Sequence, residues 1–275
     1  MTTPVSLTLP QFDRSPQAFL DLCRQAPTLG ITGVFGFDHL IPLGDPHRPV
    51  FEGVAVLGAA AAAIPAPARV GSLVLRTSSR PPAVTAAAVA TLAAIAEARV
   101  VVGLGAGDKF SADEAHRYGM ARGTFQERLQ GLQETIELIR QQTPAVTVWV
   151  GGLHQTLRQA AARLADGWNA WQVSREDLVA MTAQAREWAT RPLTISWGGG
   201  VILAKNQESL AEALARRGGR EEVTRTGLVA GTPAEVTAEL RSRAEVVDEL
   251  VLSVLPNVPS TWHVLATEVL PNLGR

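Results

Sequence analysis

Residues 99–110 read RVVVGLGAGDKF: a β-branched run, then glycines at alternate positions, then polar residues. A dinucleotide-binding turn requires G-x-G-x-x-G directly after a strand and opening a helix, with an acidic residue about 20 positions on. Gly103 and Gly105 fill the first two places, but the third falls on Asp108, and Gly107 comes one residue early. The residues that follow, KFSADEAHRYGMARG, are polar and broken by glycine, so no helix is expected to start at once. The spacing rejects a dinucleotide loop. The run is instead a strand that ends in a glycine-rich rim.

The same alternation extends outward along the chain. Strand-like runs fall at 5–9, 31–37, 69–75, 99–105, 146–152, 166–171, 193–203 and 247–254, with a helical pattern after nearly every one. The first helix shows the usual punctuation: Ser15 as N-cap, Pro16 at the first helical position, Gly30 beyond the end. Strands that alternate with helices pair in parallel. Eight such units in 275 residues match a (β/α)8 TIM barrel, which takes about 250 residues. A doubly wound sheet has the same periodicity and stands as the alternative. No linker or low-complexity stretch divides residues 1–275, so a single domain is expected.

Hydrophobic residues make up 46% of the chain and charged residues 19%, with a formal net charge of -1. Neither a clustered basic face for nucleic acid nor a charge reason for a membrane partner is present. Cys23 has no second cysteine to pair with, and in an apolar-periodic helix it reads as a small buried side chain. The five histidines show no H-E-x-x-H spacing, and there is no G-x-S-x-G elbow, so neither a metal site nor a hydrolase is expected. The N-terminal residues lack a basic stretch followed by an apolar run. The alanine-rich runs at 54–64 and 83–96 fall short of the roughly 20 residues that span a bilayer and read as core helices. The expected location is cytoplasmic.

In a barrel the chemistry sits at the C-terminal ends of the strands. The second strand ends in Asp38-His39, the third runs into Arg76-Thr77-Ser78-Ser79-Arg80, and the fourth ends in Gly105-Ala106-Gly107-Asp108. Gly151 and Gly152 close the fifth, and Asn169 lies on the sixth. Glycines at such a rim let a flat or phosphorylated ligand approach the backbone. A histidine there titrates near neutrality and can exchange a proton with a reacting atom; it can equally be a loop residue paired with its neighbour.

Five stretches stand in a fixed order over most of the chain: GVFGFDHL (33–40), ARVGSLVLRTSSRPPAV (68–84), ATLAAIAEARVVVGLGAGDKFSADEAHRYG (90–119), VWVGGLHQTLRQAAARLADGWNAW (148–171) and GTPAEVTAEL with VDELVLSV (231–254). Together they resemble the luciferase-like monooxygenase superfamily of flavin and deazaflavin barrels, most closely its members that use coenzyme F420. The resemblance implies an F420-dependent oxidoreductase that moves hydride between the deazaflavin and a small organic substrate. An FMN-dependent monooxygenase and a non-catalytic flavin-binding relative are the alternatives.

Further implications of the resemblance concern single residues. Asp38 would hold the cofactor and His39 would donate or accept the proton. Ser72, Leu73 and Val74 would form a bulge with a non-prolyl cis bond at Leu73–Val74 behind the ring. Asp108 would supply a functional carboxylate, and Ser111 a polar contact. Gly105 and Gly107 would border the ring, and Gly151 and Gly152 the cofactor phosphate, with His154 and Gln155 nearby. Asn169 would line the pocket. Arg76 and Arg80 are either anion contacts or surface charges, and of Trp168 and Trp171 one would line the pocket while the other packs against helices. Relatives pair through barrel helices, which implies a homodimer. Two departures stand out: QQTPAVTVWVGG (141–152) is compressed relative to many members, and Leu153 replaces a small residue.

Overall fold

The structure, a computed structural model, describes residues 3–12, 15–42, 47–108 and 110–274, with the side chains at 110 and 111 outside that set. The strands are β1 (Val5–Thr8), β2 (Gly33–Gly36), β3 (Arg69–Arg76), β4 (Val100–Gly105), β5 (Thr147–Gly151), β6 (Gly167–Trp171), β7 (Thr194–Leu203), β8 (Val229–Gly231) and β9 (Glu249–Leu255). The helices are α1 (Gln17–Gln25), α2 (Gly53–Ala63), α3 (Pro82–Ala96), α4 (Phe110–Arg117), α5 (Phe125–Gln142), α6 (Gln155–Leu164), α7 (Arg175–Trp188), α8 (Gln207–Ala215), α9 (Arg220–Arg225), α10 (Pro233–Ala244) and α11 (Pro259–Val264).

All pairings are parallel. β1 to β7 follow one another, β7 pairs with β9, and β9 pairs with β1. Those eight strands close into the expected (β/α)8 barrel, and closure rules out the open doubly wound sheet. β8 was not legible in the sequence: among the described residues it pairs only with Val201–Leu203 of β7, on the edge that β6 leaves free.

Strand alternation divides the core into two layers. Residues such as Val34, Val100, Val102, Val148 and Leu250 face the helices, and Phe35, Val101, Trp149 and Val251 fill the barrel interior. Phe35 and Trp149 stack there with centroids 5.6 Å apart. At the N-terminal end of the barrel the filling is polar. Glu249 accepts from Ser6 at 2.8 Å and from Arg69 at 2.6 Å, and the Ser6 hydroxyl lies 3.1 Å from that of Thr32.

α5 shows how the outer layer is specified. Thr124 and Glu127 form a capping box, and Leu129, Leu132, Ile136 and Ile139 recur at helical spacing on the buried face. Truncating fully buried Leu132 to alanine would cost about 2–5 kcal/mol. α1 starts at Gln17, whose N–H donates to the Ser15 hydroxyl at 3.2 Å, and Gly30 follows with φ +71°. Cys23 is fully buried, and burial pushes its thiol up to about 12, so it is no nucleophile.

The expectation that no helix follows residue 110 was wrong. α4 begins there, with Asp113 in its first turn and His116 and Arg117 in its last, charges that complement the helix dipole. Gly119, at φ +65°, lies just past its end and acts as a terminator rather than a breaker. By length and composition Pro82–Arg99 could cross a bilayer. In this fold it is an outer helix that buries Thr85, Ala86, Val89, Leu92 and Ala96.

Candidate active site

The rim is shaped by one irregularity in β3. Its register against β4 slips between Ser72 and Leu75, and the Leu73–Val74 peptide is cis. The slip throws the Val74 side chain across β4 and β5. A Cβ on Gly105 would strike Val74 Cγ2, one on Gly151 would come within 2.7 Å of Val74 Cγ1, and one on Gly103 would strike the Ser72 carbonyl oxygen. The glycines of the GLGAG run are therefore required first by the protein's own bulge. Gly105, Gly107, Gly151 and Gly152 nonetheless line a cavity of about 950 Å³ at the C-terminal mouth of the barrel.

Leu73 and Val74 line that cavity, whereas Ser72 is buried with its hydroxyl donating to Gly103 O at 2.8 Å. His39 lines it; Asp38 does not. The Asp38 carboxylate is buried and accepts from the Arg76 backbone N–H at 2.8 Å and from both terminal nitrogens of Arg80 at 2.7 and 2.8 Å. Arg80 also donates to Glu52 at 2.6 Å, so it is neither a cavity contact nor a free surface charge. Its hydrogen bonds to Asp38 outweigh burial and raise its already high pKa.

The carboxylate that meets His39 is Glu114 of α4, which sequence reasoning missed. Glu114 is 2% exposed, and its Oε1 lies 3.0 Å from His39 Nδ1. The same oxygen accepts from the Ile41 N–H at 3.2 Å, and Oε2 forms an ion pair with Arg76 Nη1. Burial pushes the Glu114 carboxyl up, but the His39 hydrogen bond and the Arg76 charge together outweigh it, so its pKa falls below the ordinary range. Arg76 is itself buried and lines the cavity, and its Nε and Nη2 find no hydrogen-bond partner among the described residues.

Asp108 lines the mouth and is exposed; its carbonyl accepts from Arg122 at 3.0 Å. The Ser111 side chain lies outside the described residues. Asn169 lines the cavity, 2% exposed, and donates to Ser196 Oγ at 2.9 Å.

Of the two tryptophans, Trp171 lines the cavity and meets Phe37 edge-on at 5.5 Å. Trp168 is buried and donates its indole N–H to Gly152 O at 2.9 Å. That bond steadies the loop where Gly152 has φ +128° and a Cβ would meet Leu157 at 2.6 Å. His154 caps α6 by accepting the Thr156 N–H at 3.2 Å, and it lines the cavity together with Leu153.

A closed parallel barrel with a bulged third strand, a histidine at the second-strand rim and a glycine-lined mouth defines the class. The chain belongs to the luciferase-like monooxygenase family, whose sequence profile matches residues 2–145. It is a luciferase-like oxidoreductase or monooxygenase.

Among solved structures it is similar to an F420-dependent secondary alcohol dehydrogenase in complex with an F420-acetone adduct (TM-score 0.81, 16% identity, 99% of each chain covered). It is also similar to EDTA monooxygenase (EmoA) from Chelativorans sp. BNC1 (TM-score 0.79, 13% identity, 100% of this chain and 94% of the other). A third is the coenzyme F420 dependent tetrahydromethanopterin reductase from Methanopyrus kandleri (TM-score 0.77, 16% identity, 99% of each chain). At these identities the likeness is one of fold. No curated protein matches by sequence.

Proposed function

We propose that the cavity holds coenzyme F420 and that the chain moves hydride between this deazaflavin and a small organic substrate. The observation that carries the reading is Arg76: a buried guanidinium on a cavity-lining residue, whose Nε and Nη2 find no hydrogen-bond acceptor among the described residues. An unmet buried donor of this kind costs about 1–3 kcal/mol, more when charged, and a ring with carbonyl oxygens at its edge supplies the acceptor.

The remaining residues fit the same group. Leu73 and Val74 back a flat ring, and Gly105 and Gly107 border its edge. Gly151 and Gly152 lead a phosphate toward the N-terminus of α6, where His154 already accepts the Thr156 N–H. Arg48 and Arg217 also line the cavity, which suits the anionic tail of F420 better than the shorter tail of flavin mononucleotide. Asn169 offers a polar edge contact.

When bound, the deazaflavin supplies the carbon that gives or takes hydride. His39 Nε2 holds or releases the proton beside the substrate, Asp108 stands at the mouth, and Trp171 and Phe37 exclude water. Asp38 acts at one remove, by fixing the Arg76 backbone and Arg80.

The charge-free outer faces of α2 and α3, with Val84 and Ile95 exposed, support a homodimer paired through those helices. A cytoplasmic location goes with this reading.

The test is a fluorescence titration of the purified protein with F420 and, separately, with flavin mononucleotide. Micromolar or tighter binding of F420, weakened at least tenfold by Arg76→Met with Glu114→Gln, supports the reading. Preference for flavin mononucleotide moves the chain to the oxygen-activating branch, and binding of neither overturns it.

A further inference from the structure

We propose that Glu114 is the positioning residue of this site: it fixes His39 as the Nδ1–H tautomer and so turns a bare Nε2 toward the cavity. The inference deepens the role given to His39 above and rests on that reading.

Glu114 approaches His39 from a different element, α4, and is fixed there independently of the imidazole. Its Oε1 accepts the Ile41 N–H at 3.2 Å, and its Oε2 is held by Arg76. Just past the C-terminus of α4, Tyr118, whose N–H still bonds Glu114 O at 3.0 Å, donates its hydroxyl to Leu40 O at 2.9 Å. Residues four apart share a helix face, so Glu114 and Tyr118 together clamp residues 39–41 against α4.

An ionised carboxylate only accepts hydrogen bonds, so at 3.0 Å from Oε1 the His39 Nδ1 must carry hydrogen. In the neutral ring Nε2 is then an acceptor. Arg76 keeps the arrangement in force, because its charge beside Glu114 favours the ionised carboxyl despite burial. Loss of one net hydrogen bond shifts a two-state ratio by about 2- to 10-fold.

The experiment uses the full-length protein as purified, labelled with 15N-histidine, and long-range 1H–15N correlation to read the His39 tautomer, with the His39 signals assigned from His39→Asn. The wild type should show Nδ1–H with a bare Nε2. Glu114→Ala combined with Arg76→Met, which removes both buried charges together, should move the ratio toward Nε2–H by about 2-fold or more.

A wild type found as Nε2–H, or a double variant that keeps the wild-type tautomer, overturns the proposal. A role for Glu114 in folding alone would lower unfolding temperature and leave the tautomer where it was. The tautomer is read without added cofactor, so a failed F420 titration and a failed tautomer prediction are separate outcomes.

Discussion

Replacing Gly105 by alanine should destabilise the barrel, and replacing Val74 as well should reverse the sign of the effect. Gly105 is not among the positive-φ glycines, so alanine suits its backbone and would stabilise by about 0.4–1 kcal/mol through the unfolded chain. Against this, the new Cβ would strike Val74 Cγ2, and overpacking a filled site costs about 1–3 kcal/mol. The net expectation is a loss of about 1–2 kcal/mol, or a few degrees in Tm. In a Val74→Ala background the obstacle is gone, and Gly105→Ala should stabilise by about 0.4–1 kcal/mol relative to Val74→Ala alone.

Gly151→Ala should behave the same way, since its three nearest side-chain atoms all belong to Val74. Gly103→Ala is the control: its Cβ strikes the Ser72 carbonyl oxygen, so trimming Val74 should leave it destabilised. Urea unfolding followed by tryptophan fluorescence gives each difference from the midpoint. Additive effects of Gly105→Ala and Val74→Ala would refute the claim that these glycines exist to receive the bulge.

The Glu114 carboxyl has a lower pKa in the fold than its ordinary value, which is about 4.3 in the unfolded chain. Its stabilisation is therefore complete above that value and is lost as pH falls through the folded value; denaturation at a series of pH values should show a steeper acid loss for wild type than for Glu114→Gln. At neutral pH the same substitution removes the nearer of the two carboxylates beside buried Arg76, leaving Asp38 at 3.9 Å from its Nε, and should cost about 1–3 kcal/mol. Trp168→Phe deletes the bond to Gly152 O and should cost about 0.5–1.5 kcal/mol. It should also raise the Kd for the proposed cofactor F420, and an unchanged Kd would argue against Gly152 as a phosphate contact. The wild type is expected to sediment as the proposed dimer, and Ile95→Glu as a monomer with unchanged circular dichroism; a wild type that already sediments as a monomer sinks the α2–α3 pairing.

The eight barrel strands were legible because each is an apolar or β-branched run long enough to stand out, bounded by a helical pattern. β8 is three residues long and exists only because β7 outlasts β6 on one edge, a fact of geometry that no local pattern carries. α4 was hidden because Gly119 and Gly123 read as interruptions when they follow the helix.

The resemblance singled out the Asp38-His39 pair and set both residues at the cofactor. In extended chain, neighbouring side chains point to opposite faces, and here one meets the cavity while the other meets Arg80. Glu114 lies 75 residues from His39, so their meeting depends on the order of strands around the barrel. The glycines were recognised as space-makers, but the occupant of that space, Val74, comes from a neighbouring strand whose slip in register leaves no trace in composition.

The polar base of the barrel sets a clock on assembly. Ser6 and its partner Glu249 are 243 residues apart, and β1 can pair with β9 only after the residues between them have been made. At roughly 5–20 residues per second the interval between the two strands leaving the ribosome is on the order of ten to fifty seconds. During it the β1 edge is unpaired, a template for any other extended chain. The residues waiting there reduce that hazard: Val5–Leu7 take their partners from Leu250–Leu252, beside a Glu249 whose burial is tolerated only once Arg69 and Ser6 are in place. A stray strand lacking a carboxylate at that register leaves Arg69 and Ser6 without their acceptor, so the charge at the base helps select the strand that closes the ring.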